Sequence, residues 1–456
     1  MTDSLVLRAL DFAIDPEVAY PVIAGGASYS FWLDSARAES PMSRFSYVGV
    51  VPEFEQVLRI QDVHATADEN IWQILQEKLV VAPKVEMPDE LADLLENELL
   101  GGYVGYFGYE SRRSLGYATP YTSETPDALW MPAVRYLMVE HVSGQSFLVG
   151  DAPWIAKMEK ELAEALAEEE AQGDAIGDFH LDFSAPNRES YLGAIAESLH
   201  EIYEGNSYEV CLTAETRCSL PADLNSPQGI FRLYQAQRRH NPAPFAAFFR
   251  CADHRILSSS PERFLSVSAA GIAETKPIKG TVERSSDSLE DLARADWLRS
   301  DSKTRAENLM IVDLLRNDLS RVSVPGSVHV PVLMGVESYA TVHQLVSTVA
   351  SQLRSEITAI EAVAACFPGG SMTGAPKPST MNIIDRLEGR ARGIYSGALG
   401  FFSTTGAASL SIVIRTLVVL PGGEVSLSAG GAIVADSDPD AEYEEMLAKL
   451  RAAVPK

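Results

Sequence analysis

Cysteine is scarce: Cys211, Cys218, Cys251 and Cys366 are the 4 in a chain of 456 residues, and no Cys-x-x-Cys pair occurs. That excludes a disulfide framework and a structural zinc site. Positive charge is also short. Lys and Arg number 37 against 63 Asp and Glu, for a formal net charge of -26. Nucleic acid and anionic membranes both require a basic footprint, so neither is expected as a partner. No apolar run approaches the roughly 20 residues of a membrane span. The opening stretch MTDSLVLRALDFAID has no basic leader and no long apolar core, so no signal peptide is expected. What is present, 46% apolar and 22% charged residues, fits a soluble cytoplasmic enzyme. An anionic substrate would need local cations or a metal to bind so acidic a chain.

The pattern along the chain divides in two. Residues 154–172 are Ala- and Glu-rich with helical apolar spacing, and they predict a long surface helix ending at Gly173 and Asp174. A connection over 177–186 then places a boundary between an N-terminal region, 1–180, and a second region, 181–456. Residues 306–318 read as a helix with an apolar body. Residues 409–420 read as one buried strand carrying Arg415, and 424–435 as the next strand. Strands and helices mix without βαβ spacing, which predicts an α+β fold of antiparallel sheets flanked by helices.

Four constellations stand out. In the first, Phe264–Ser268 and Ile272–Ile278 flank the turn Ala269-Ala270-Gly271 as a hairpin. Its pairing puts Glu262 opposite Lys279, with Cβ atoms roughly 5 Å apart if both point to one face. An ordinary salt bridge is one reading; an acid beside a nucleophile is the other, and it requires burial and a shared proton. In the second, Asp438-Pro439 starts a helix on which Glu442, Glu445 and Lys449 share a face. Such a face is either solvated or, with Glu307 nearby, able to hold Mg²⁺. The third, GGSMTGAPKPS over 369–379, is no phosphate-binding loop, because Ala375-Pro376 stand between the glycine and the lysine. Arg415 is the fourth: a buried arginine requires a carboxylate, from the protein or from a ligand. Gly430 and Gly431 on the next strand would let a ligand approach the backbone.

The chain resembles the chorismate-utilising enzymes, which include the large components of anthranilate synthase and aminodeoxychorismate synthase. The matching stretches are SSSPERFL, PIKGT, AENLMIVDLLRNDLSRV, GGSMTGAPK, RGIYSGALG, IRT and GGAIVADSDPDAEYEEMLAK. The resemblance implies the fold of anthranilate synthase component I, two closely packed antiparallel sheets flanked by helices. Anthranilate-forming members typically have alanine where Lys279 stands, and aminodeoxychorismate-forming members have lysine. GGYVGYFGYE and NSYEVCLT also resemble that second branch, which feeds 4-aminobenzoate and folate synthesis. An anthranilate-forming enzyme, or a silent subunit that binds chorismate or tryptophan, is the alternative.

By the same resemblance Lys279 attacks C2 of chorismate while Glu262 protonates the departing C4 hydroxyl, and ammonia then displaces the lysine. Glu307 and Glu445 match Mg²⁺ ligands, with Glu442 beside them. Arg415, Tyr395, Gly280, Thr281, Gly430, Gly431, Lys449 and His343 match substrate-site residues. Water-using members carry a lysine base where this chain has Glu209, so formation of isochorismate is not implied. A tryptophan pocket is implied around Leu33-Asp34-Ser35 and Pro244-Phe245-Ala246. The sequence has no glutaminase machinery, so ammonia is expected from a separate glutamine amidotransferase subunit.

Overall fold

The computed structural model describes residues 5–36, 42, 44–53, 55–61, 70–169, 179–339 and 342–455. Among these, the strands form a 12-stranded and a 10-stranded sheet. Neighbouring strands are antiparallel except where Leu5–Ala9 meets Val85–Glu86. The sheets stack face to face. Period-2 alternation explains the layering: along Tyr29–Asp34, Phe31 points into the core between the sheets and Trp32 into the core under the helices. Phe249 and Phe248 divide in the same way. The inter-sheet core sets Phe31, Met138 and Phe249 against Val104, Tyr106 and Phe401. Helices cover the outer faces, with Ile155, Ile195 and Met446 on the larger sheet and Ile71, Ile311 and Val363 on the smaller. This is the α+β arrangement that the sequence pattern predicts.

Both sheets draw on both regions of the chain. Tyr29–Asp34 pairs with Phe245–Cys251, and Tyr103–Phe107 pairs with Ala398–Phe402. The long helix runs Ala152–Glu169, and its expected end at Gly173 and Asp174 lies outside the described residues, as does part of the 177–186 connection.

One expected element is two. The apolar run over 409–420 breaks into Ala408–Ile412, in the smaller sheet, and Thr416–Val419, in the larger. Arg415 sits at the crossing with φ +51°. That left-handed backbone, rare for a side chain other than glycine, redirects the chain from one layer to the other. The β-branched composition on both sides of the break conceals it.

The hairpin also differs from expectation beyond its first residues. Ser266 pairs with Glu274 and Val267 with Ala273, as the turn predicts. The strand ends at Lys276, however, and after Pro277 a new strand, Ile278–Glu283, pairs with Val342–Gln352. Lys279 therefore lies opposite Leu345, not across the hairpin from Glu262.

Candidate active site

A cavity of about 770 Å³ opens where the ends of the two sheets meet, within the size range of small-molecule sites. Each layer supplies part of its wall. The smaller sheet contributes Lys279, Gly280 and Thr281, and the larger contributes Gly430 and Gly431. Arg415 enters from the crossing, Glu307 from the helix Ser302–Ser320, and Glu442, Glu445 and Lys449 from the helix Pro439–Ala453. Tyr395 and Glu262 complete the set. The expected N-cap positions that last helix: Asp438 accepts the Ala441 N–H at 2.9 Å, and Pro439 occupies the first turn. One face of the helix is thereby aimed at the cavity.

The glycines have separate reasons. Gly280 has φ +77° inside a bulge between Lys279 and Thr281, and a Cβ there would come within 2.5 Å of Thr304. Gly430 keeps the sheet closed, since its Cβ would lie 2.1 Å from the Leu212 carbonyl oxygen. Gly431 clears the cavity side, where a Cβ would stand 3.1 Å from Glu442 Oε2.

Lysine and carboxylate alternate around the cavity. Lys279 Nζ lies 3.4 Å from Glu209 Oε1. Glu262 is buried and accepts a hydrogen bond from Ser371 Oγ at 2.9 Å. Lys303 Nζ lies 3.2 Å from Glu442 Oε1 and 3.9 Å from Glu307 Oε1. Ser437 Oγ also donates to Glu442 Oε1, at 2.7 Å. Lys449 Nζ reaches Glu445 Oε1 at 2.8 Å and the Gly430 carbonyl at 2.9 Å. Lys279, Lys303, Lys449 and Arg415 thus gather, among carboxylates, at one opening of a chain with net charge -26, and give an anion local cationic partners there.

Burial sets the protonation of these groups. It pushes the Glu262 carboxyl up, and the bond from Ser371 and the nearby Lys279 offset part of that rise. Burial opposes charge on Lys279, but the carboxylates of Glu209 and Glu307 outweigh it and hold the ammonium above its usual range. Burial raises Glu307 as well. At Glu445 burial works the same way, but Lys449 outweighs it and draws that carboxyl down. Among the described residues, no three His, Cys, Asp or Glu side chains converge as a ready metal cluster. Lys303 and Lys449 instead hold the carboxylates of the group.

His343 is not in the cavity wall. Its ring nitrogens bond Ser338 Oγ at 2.8 Å and Asp291 Oδ1 at 3.0 Å, which ties its strand to the helix Ser288–Ser300. Sequence reasoning missed Lys303 and Ser371. Lys303 stands four residues before Glu307 on one helix face, a spacing that could have revealed it. Ser371 lies inside the glycine-rich segment 369–379 and carried no signal of its own.

Ser35, Pro244, Phe245 and Ala246 line a second cavity, of about 390 Å³, with Asp34, Arg44, Glu98 and Arg263. Arg263 lines this one and its chain neighbour Glu262 the first, so the two cavities lie on either side of one strand entry.

The sequence profile described as chorismate binding enzyme matches residues 29–455. An aminodeoxychorismate synthase of Streptomyces pristinaespiralis is 40% identical over 481 aligned residues, covering 98% of this chain and 64% of that protein. The chain therefore spans less than two thirds of that relative's length. Aminodeoxychorismate synthase component 1 of Escherichia coli is 36% identical, with 92% of each chain covered. The crystal structure of anthranilate synthase component I from Streptococcus pneumoniae superimposes with a TM-score of 0.75 at 29% identity, covering 91% of this chain and 93% of that one. By profile, by sequence and by fold, this chain belongs to the chorismate binding enzyme family.

Proposed function

We propose that the chain is component I of an aminodeoxychorismate synthase, converting chorismate and ammonia to 4-amino-4-deoxychorismate. One observation carries this reading: the Lys279 amine and the raised carboxyl of Glu262 open into the same cavity. An amine can add to an electron-poor ring carbon, and a carboxylic acid whose burial favours its protonated form can protonate a departing hydroxyl. Identity to aminodeoxychorismate-forming relatives, 40% and 36%, supports the aminating branch.

In this reading Lys279 is the nucleophile and Glu262 the general acid. Arg415, Lys449, Thr281 and Tyr395 orient the two carboxylates and the ring. The bulge at Gly280 aims Lys279, and Gly430 and Gly431 admit the substrate to the backbone. Every residue lining the main cavity falls within 181–456, which supports that stretch as the chorismate-binding region. Glu307, Glu442 and Glu445 would hold Mg²⁺. Their oxygens suit a hard divalent ion, and Gly431 leaves Glu442 Oε2 uncrowded. When bound, the ion would neutralise a substrate carboxylate. Ammonia would come from a separate glutamine amidotransferase subunit. The second cavity, with Asp34, Arg44 and Glu98 beside Phe245, suits a zwitterionic aromatic amino acid such as tryptophan.

The test is an incubation of the purified chain with chorismate, Mg²⁺ and concentrated ammonium at alkaline pH, with products resolved by chromatography and mass. The expected product is 4-amino-4-deoxychorismate, which an added lyase converts to 4-aminobenzoate. Anthranilate in its place would overturn the branch assignment.

A further inference from the structure

Glu209 has no part in the reading above, and its position is unusual. It opens the strand Glu209–Ser219, is fully buried, and does not line the cavity. Its Oε1 lies 3.4 Å from Lys279 Nζ, while its Oε2 is buried with no hydrogen-bond partner among the described residues. A carboxylate left half-satisfied at such depth is destabilised, whereas the neutral acid is far less so. Lys279 stands between this acid and the substrate space. Its amine cannot attack while a proton holds the lone pair.

The groups around Lys279 are the carboxyls of Glu209, Glu307 and Glu262 and the thiol of Cys211. Glu262 must keep its own proton for the leaving hydroxyl, and burial pushes the Cys211 thiol up. Among the described residues only Glu209 is in ion-pair contact with the lysine. Burial also pushes Glu209 up, toward accepting a proton.

Resting on Lys279 as the nucleophile, we propose that Glu209 is the residue that takes the Lys279 proton, from behind and without touching substrate. One Nζ–H bond breaks, the proton passes to Glu209 Oε1, and the lone pair remains on Nζ. That pair forms the Nζ–C2 bond as the two ring double bonds shift toward C4. The C4–O bond breaks, and the oxygen leaves as water with the proton of Glu262. Ammonia then adds at C4, the double bonds shift back, and the C2–Nζ bond breaks. The amine recovers its proton from Glu209, and Glu262 recovers one from the new ammonium. The balance is chorismate plus ammonia giving aminodeoxychorismate plus water.

The test measures adduct formation in the full chain with chorismate and Mg²⁺ but no ammonium, by rapid quench and intact mass, for wild type and Glu209→Gln from pH 6 to 9. With Glu209 present the transfer is internal; with glutamine the proton must first be lost to solvent. The ratio of variant to wild-type rate therefore rises about tenfold per pH unit until the lysine titrates, and Glu262 and the metal ligands cancel from it. A ratio constant with pH, with adduct in both proteins, overturns the role of Glu209 alone. Absence of an adduct in wild type overturns the nucleophile assignment and this proposal with it. A second measurement needs no variant: an indicator dye in weak buffer should register no proton released as the wild-type adduct forms. One proton released per adduct overturns the proposal.

Discussion

Replacing Lys279 with methionine removes the one hydrogen-bond partner that the Glu209 carboxylate has among the described residues. Glu209 Oε1 loses its contact at 3.4 Å, and Oε2 already has none. Breaking one side of a buried ion pair costs about 3–5 kcal/mol, because the remaining charge keeps its desolvation penalty. The cost depends on pH, with a definite sign. Without Lys279 the burial that already raises Glu209 goes unopposed. The folded state then holds a proton that the unfolded state has released, so stability falls as pH rises through that window. Below it both states are protonated and the loss fades. Urea unfolding of wild type and Lys279→Met at pH 5 and pH 8 should show a deficit of about 3 kcal/mol or more at pH 8 and a markedly smaller one at pH 5. Adding Glu209→Leu to Lys279→Met should restore most of the stability at pH 8 and none of the activity. Equal deficits at the two pH values, or no recovery in the double variant, would refute the reasoning.

Glu262→Gln keeps the bond from Ser371 but has no proton to give, so adduct formation should slow by about 10²–10⁴-fold while chorismate binding, read by calorimetry, changes little. Lys303→Ala frees Glu442 and Glu307 from an internal cation. Discounted for its exposure, that contact holds about 1 kcal/mol, so Mn²⁺ followed by electron paramagnetic resonance should bind about fivefold more tightly. Gly280→Val places a branched side chain at φ +77° against Thr304, and should lower both thermal stability, by about 1–3 kcal/mol, and the rate of adduct formation.

Much of this site is local, and local features are legible. The turn at Ala269–Gly271 fixed the first pairs of its hairpin, Ser266 with Glu274 and Val267 with Ala273. The N-cap at Asp438 and the heptad-like spacing of Glu442, Glu445 and Lys449 put three charged groups on one helix face. Each depends on contacts within a few residues, which chain geometry alone determines. Long-range pairings are less legible. The expected partner of Lys279 was Glu262, by extrapolating the hairpin past Pro277, yet the chain leaves that strand and Lys279 meets Glu209 instead. His343 carried the right residue type, but its ring is spent on Ser338 and Asp291.

By itself the sequence determined the alternation that builds two sheets with helices outside, the helix that presents the carboxylates, and the lysine in PIKGT. Only the tertiary structure decided which charges face one another. Lys279 belongs to one sheet and Glu209 to the other. Their meeting depends on how the two layers stack, with the chain passing from the larger sheet to the smaller between His254–Ser260 and Arg263–Val267. Pairing across layers is set by packing of the whole core, and no spacing along the chain encodes it.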